Sequence, residues 1–274
     1  MWEPKVILVT GASSGFGKAM AEELAKRGYT VFGTSRKGGV SVNGVKMLKM
    51  DVTDTSSIYD AVNYVSGECG GIDVLVNNAG VGISGALELA TDEEIEWQMN
   101  TNFMGMANMC RAVVHGMRRR RQGRIINISS IAGVMAVPFQ GFYSASKFAI
   151  EGYSEALSME LYPFGIRVCV VEPGDFRTGF TANRAVSQAT LESEAYGTCF
   201  RRAMSVIEKE ENGGANPVKL AKAICRIVEM ENPPFRTKVG PMFQVILARL
   251  CRFIPYRLLV KGLRWFYGIS KKGT

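Results

Sequence analysis

The chain has 274 residues, of which 47% are hydrophobic and 21% charged, and a formal net charge of +8. That length fits one large α/β domain or two small ones with a sizeable core, and the composition is that of a folded globular protein. The six cysteines form no C-x-x-C pair and His115 is the only histidine, which argues against a zinc site and against a histidine-based triad.

The first segment, MWEPKVILVTG, lacks the long apolar core and cleavage site of a signal peptide. No uninterrupted apolar run reaches about 18 residues, so no membrane-spanning helix is expected. Reduced thiols in a cytoplasmic protein are the simplest reading of the cysteines. Residues 6–10, VILVT, read as a first strand, closed by Gly11. Residues 18–28 have helical periodicity and a glycine stop. Further strands are expected at residues 29–35, 45–52, 72–80, 124–130, 165–174 and 237–240, with a long helical stretch over 93–119 between the fourth and fifth. Strands alternating with helices define βαβ crossovers. The expected fold is therefore a single α/β domain of Rossmann type, a doubly wound, mostly parallel seven-stranded sheet flanked by helices, with a helical extension at its C-terminal end. Apolar residues at nearly every strand position imply helices on both faces. Ligands of such sheets sit at the carboxyl ends of the strands.

The first of those ends carries TGASSGFG, with Gly11, Gly15 and Gly17 at G-x-x-x-G-x-G spacing. Glycines there permit a sharp turn and close approach of backbone to a pyrophosphate, and the following helix offers free N–H groups. An ordinary glycine-rich turn is the competing reading; the strand–glycines–helix context favours a dinucleotide. The end of the second strand reads GTSRKGG. It holds no acid for a ribose 2′-hydroxyl, whereas Arg36, followed by Lys37, suits a 2′-phosphate. NADP(H) is the expected cofactor, and no metal is required.

Other motifs follow in order: Asp51-Val52 after the third strand, Asn77-Asn78-Ala79-Gly80 ending the fourth, Asn102 in NTNFMG, Ser130 in NISS, Tyr143-Ser-Ala-Ser-Lys147, and Pro173-Gly174 with Thr178 beyond. With these motifs the chain resembles the short-chain dehydrogenases/reductases, directly over roughly residues 5–178. The resemblance implies that Asn102, Ser130, Tyr143 and Lys147 are catalytic. It also implies that Gly11, Ser13, Ser14, Gly15, Phe16, Gly17, Asp51, Val52, Asn78, Ala79, Gly80, Pro173, Gly174 and Thr178 contact the cofactor, as do Tyr143 and Lys147. Family spacing favours Ser130 over Ser129. A second Tyr-x-x-x-Lys pair, Tyr267 and Lys271, has Ile254 rather than serine 13 positions earlier and is read as accidental.

Residues four apart share a helix face, so Lys147 can lie beside Tyr143 and, with the positive charge of the oxidised nicotinamide, lower its pKa towards neutrality. Tyr143 then exchanges a proton with an alcohol or carbonyl, while Ser130 steadies the substrate oxygen. In the family picture Lys147 also grips the nicotinamide ribose, and Asn102 positions a water linking Lys147 to solvent. The expected reaction interconverts a carbonyl and an alcohol on a lipophilic substrate such as a steroid, retinoid or long-chain compound. Resemblance to the hydroxysteroid and retinol branch, in residues 141–161 and 162–174, points the same way. A cofactor-binding sensor or scaffold of the same fold is the alternative.

Residues 175–215 occupy the place of the family's variable substrate loop. Residues 241–274 contain no Asp or Glu and read as two amphipathic basic helices broken at Pro255: a lid, a subunit contact or a membrane-surface element. The run Arg118–Arg121 sits at a helix end with no aromatic platform, so nucleic acid is not an expected partner. A homodimer or homotetramer is expected from the resemblance.

Overall fold

The computed structural model describes residues 2–270. Seven strands form one parallel sheet: β1 (Val6–Thr10), β2 (Thr30–Ser35), β3 (Val45–Lys49), β4 (Val74–Asn77), β6 (Gly123–Ile128), β7 (Ile166–Pro173) and β9 (Arg236–Val239). Their order is β3-β2-β1-β4-β6-β7-β9, every pairing parallel. Two-residue strands β5 (Ile83–Ser84) and β8 (Ala185–Val186), absent from the sequence reading, pair separately.

Period-two alternation builds a core on each face. Ile7 and Val9 of β1 face a cluster with Met20 and Leu24 of α1 (Gly15–Lys26) and Leu220, Ile224 and Val228 of α8 (Pro217–Glu229). Val6 and Leu8 face the opposite cluster. There α2 (Thr55–Cys69) supplies Ile58 and Val65, α4 (Gly105–Arg120) Met109, Val113 and Met117, and α5 (Gly141–Leu161) Ile150 and Leu161. β1 and β4 lie at the point where the strand order reverses, the place where such sheets open a crevice.

Local chemistry sets the helix starts. Asp54 caps α2 by accepting from the Ser56 and Ser57 amides, and Thr91 forms a capping box with Glu94 at the start of α3 (Asp92–Met99). The helix expected over 93–119 is interrupted by one π turn, Asn100–Met104, between α3 and α4. Strand β4 ends at Asn77 rather than at residue 80, because residues 78–80 leave the sheet to brace the glycine turn.

The arginine run is taken up by packing. Arg120 donates to the Ile72 carbonyl at 2.6 Å, Arg121 to the Pro163 carbonyl at 2.8 Å, and Arg118 stacks over Phe164. Arg124 is almost wholly buried over the Trp2 ring and donates to the Ile227 and Val228 carbonyls. Burial pulls its pKa down to about 10.

The remaining chain forms α6 (Gln188–Glu192), α7 (Gly197–Asn212), α9 (Met242–Leu250) and α10 (Tyr256–Phe266). No described helix is long and apolar enough to cross a membrane.

Candidate active site

The strand ends open into one cleft of about 1040 Å³. All the sequence-predicted positions except Gly17 and Asn102 line it, from Gly11 to Thr178. Gly11 (φ +67°) and Gly15 (φ +52°) take the left-handed backbone that the turn requires. A Cβ on Gly17 would lie 2.1 Å from the Gly11 carbonyl oxygen, so only glycine lets α1 approach the turn this closely.

Thr10, which sequence reasoning passed over, ties β1 to the N-N-A-G segment. Its Oγ1 accepts from the Asn78 and Ala79 amides at 2.9 and 3.0 Å. Asn78 Nδ2 donates back to the Thr10 and Gly11 carbonyls. Asn78 is thus a brace of the turn. Asp51 accepts from Thr53 through one carboxylate oxygen, and Val52 is buried beside it. Arg36 is exposed at the cleft rim just beyond β2. These residues fit a dinucleotide: a glycine cradle that a side chain would fill, a helix start behind it, and a guanidinium at the far end.

The π turn places Asn102 inward, 1% exposed, as such turns often do at functional sites. Its Oδ1 accepts from the Val81 amide at 2.8 Å, and Nδ2 donates to the Val81 carbonyl and to Ser146 Oγ. It therefore couples the exit of β4 to α5, the helix that carries Tyr143 and Lys147.

Ser130 follows β6, and its hydroxyl faces the Tyr143 phenol while accepting from the Ala132 amide at 3.1 Å. Ser129 also lines the cleft but is buried. Tyr143 is partly exposed to the cleft, its ring 5.7 Å from Phe180. Lys147 is buried one helical turn on, its Nζ donating to the Ile128 carbonyl at 3.0 Å and lying 5.6 Å from the Tyr143 ring centre.

In the chain without a cofactor's charge, burial governs both groups. Burial pushes Tyr143 up to about 12, against the Ser130 hydrogen bond, and burial pulls Lys147 down to about 8, against Glu151. Desolvation outweighs attraction for both groups. Burial thus favours the neutral phenol at Tyr143 in the chain alone.

Behind Lys147 lies an ion network that no local motif announced. Arg236 on β9 pairs with Glu151 at 3.0 Å and with Glu155 at 2.6 Å, and Lys238 pairs with the fully buried Glu172 at 2.5 Å. The Pro173-Gly174 turn is held by the C-terminal extension: Gln244 of α9 accepts from the Asp175 amide at 2.8 Å and donates to its carboxylate at 2.5 Å. Leu247, Leu258, Leu259 and Leu263 of the extension form an apolar wall of the cleft. Tyr267 packs on Phe200, Met204 and Ile207. Lys271, its sequence partner, lies outside the described residues, as does Lys272. No metal-ligating cluster occurs among the described residues.

A parallel sheet with a glycine cradle at its strand ends and a serine–tyrosine–lysine set in the same cleft is the arrangement of a dinucleotide-linked oxidoreductase. The short chain dehydrogenase family model matches residues 5–189, and the chain belongs to that family, whose members use a nicotinamide cofactor. It is 56% identical over 267 residues to a 3-ketodihydrosphingosine reductase of Bacteroides thetaiotaomicron, covering 97% of this chain and 99% of that one. Retinol dehydrogenase 8 of Bos taurus is 33% identical, covering 89% and 84%. A short-chain dehydrogenase from Streptomyces avermitilis superposes with a TM-score of 0.81 at 33% identity, covering 99% of each chain.

Proposed function

We propose that this protein is an NADP(H)-dependent ketoreductase acting on the 3-ketone of a long-chain sphingoid base or a closely similar lipophilic carbonyl. The observation that carries the reading is the convergence of Ser130, Tyr143 and Lys147 at a cleft whose far wall is apolar. The high identity to the Bacteroides reductase over nearly both full lengths supports the substrate class.

When bound, the nicotinamide cofactor supplies the hydride. Tyr143, held neutral by burial, donates its proton to the carbonyl oxygen. The Ser130 hydroxyl shares that oxygen and steadies its developing charge. The Lys147 ammonium offsets the charge left on Tyr143. Asn102 fixes the position of α5 through Ser146, and the water relay implied by the resemblance runs past it. Arg36 receives the adenosine 2′-phosphate, the basis for preferring NADP(H) over NAD(H).

Residues 175–215 and the extension enclose the apolar chain of the substrate. Phe253 and Trp265 are 83% and 84% exposed, on a segment whose basic residues include Arg252, Arg257, Lys261 and Arg264. The extension is thus read as a cleft wall inside and a peripheral contact with anionic lipid outside. A cytoplasmic homodimer or homotetramer completes the proposal.

The test is NADPH oxidation with a C18 2-amino-3-ketone as substrate, repeated with NADH. No turnover with any long-chain ketone would reject the reading. Cosedimentation with anionic vesicles, lost in a Phe253→Ser, Trp265→Ser double variant, tests the lipid contact. Equal binding by both proteins would reject that contact.

A further inference from the structure

We propose that Gly262 is a specificity-determining residue: it leaves a notch in the apolar face of α10 through which the tail of a long-chain ketone runs out of the cleft. This rests on the ketoreductase reading above.

Leu258, Leu259, Gly262, Leu263, Trp265 and Phe266 of α10 line the cleft that also holds Tyr143. At about 3.6 residues per turn they share one face of the helix, while Arg257, Lys261 and Arg264 share another. Gly262 falls near the middle of the cleft face, four residues from Leu258 on one side and from Phe266 on the other. Every other member of that face carries a large apolar side chain. The face is therefore a ridge with one gap.

Nothing in the fold requires glycine at the gap. Inside a helix glycine is less favourable than any residue but proline. Gly262 is not among the residues of positive φ, so its backbone suits an ordinary side chain. A Cβ built on it meets no heavy atom within 4 Å, so no neighbour presses against the helix there. The two reasons for which a fold keeps a glycine, a left-handed backbone and a close approach, are both missing. What glycine leaves at this position is open space, and that space adjoins the cleft.

A second observation is how the gap is held. No residue of α10 is buried, so its apolar face is not core. The extension is nevertheless fixed on both sides of that face. Gln244 of α9 grips Asp175, and Tyr267, directly after α10, packs on Phe200, Met204 and Ile207 of α7. Arg202 of α7 donates to the Gly268 carbonyl at 3.2 Å. An apolar face is thus held at the cleft without being filled by protein. Gly262 is exposed and Leu258 is 62% exposed, so the gap opens at the surface rather than ending blind. A chain of methylenes fits it: narrow enough for the missing side chain, apolar like the rims, and continuous with a carbonyl at Tyr143.

The experiment measures kcat/KM at saturating NADPH for 2-amino-3-ketones with chains from C8 to C18, using wild type, Gly262→Phe and Gly67→Phe. Gly67 lies on α2, its added Cβ would also meet nothing within 4 Å, and it does not line the cleft. It therefore controls for a bulky residue on a helix surface. Each methylene removed from an apolar wall is worth about fourfold. The ring in Gly262→Phe displaces two or three methylenes, so the C18-to-C8 ratio should fall by about 15-fold to 60-fold, with the loss setting in above a definite chain length. Gly67→Phe should keep the wild-type ratio. If Gly262→Phe does not fold, Gly262→Leu carries the same test. A ratio within twofold of wild type, or a parallel loss at all chain lengths, overturns the notch and leaves the ketoreductase reading standing. An equal fall in Gly67→Phe does the same. Wild-type protein that reduces no ketone of any length overturns both.

Discussion

Replacing Lys147 with methionine separates stability from catalysis. Burial lowers the Lys147 pKa from its ordinary 10.5 to about 8, with Glu151 opposing. At neutral pH the lysine is charged both folded and unfolded, so the difference between the two values weakens folding by roughly 3 kcal/mol, at about 1.4 kcal/mol per pH unit. Methionine keeps the length and the apolar packing of the stem and removes the charge. It also deprives the Ile128 carbonyl of its 3.0 Å hydrogen bond, which offsets about 1 kcal/mol. The variant should therefore be more stable than wild type by about 2 kcal/mol at neutral pH, while losing turnover. The pH dependence carries the same sign. Between about 8 and 10.5 the unfolded lysine still holds a proton that the folded one has released. The unfolded state binds more protons there, and the contribution of this group to stability rises with pH. The penalty is fully present below about 8 and gone above 10.5, so the gap between the two proteins should close across that window. Urea unfolding at several pH values, with kcat measured on the same preparations, provides the test. A Lys147→Met protein no more stable than wild type at neutral pH, or a gap that ignores pH, would refute the reasoning.

Tyr143→Phe keeps the ring packed on Phe180 and removes only the donor, so kcat for ketone reduction should fall by about 10² to 10⁴ with NADPH affinity, read by fluorescence titration, little changed. Residual turnover within tenfold of wild type would contradict the role given to the phenol. Arg36→Asp should raise the KM for NADPH by about tenfold or more and leave that for NADH nearly untouched; parallel changes would show that Arg36 does not read the 2′-phosphate. Gly17→Ala places a methyl 2.1 Å from the Gly11 carbonyl oxygen, so it should cost about 1–3 kcal/mol in stability and weaken cofactor binding. An unchanged Tm with unchanged NADPH affinity would mean that the turn yields more easily than its geometry implies.

What could be read from the amino-acid order is what the chain encodes locally. Each residue of Val6–Thr10 is buried, and an apolar run of that kind is visible without a structure. Tyr143 and Lys147 share a helix face, and Ser130 lies two residues beyond the strand that leads to them, so spacing alone predicts their meeting. The glycine turn is legible for the same reason. The long helix was expected, but not the π turn that aims Asn102, since one extra residue in a turn leaves little mark on apolar periodicity.

The illegible part depends on partners far apart in the chain. Arg236 reaches Glu151 across 85 positions, and Gln244 reaches Asp175 across 69. No short motif marks such pairs, because an isolated charge on a strand reads as a solvated side chain until a facing acid is placed. The burial of Tyr143 is illegible for the same reason. Sequence spacing shows the attraction between neighbours, whereas desolvation depends on everything that closes around them. Lys147 binds the Ile128 carbonyl and is itself pulled down by burial, so it does not overcome the burial of the phenol. Glu151, held by Arg236, is the chain's own counterweight, keeping Lys147 charged at a depth where burial alone would carry it further towards neutrality.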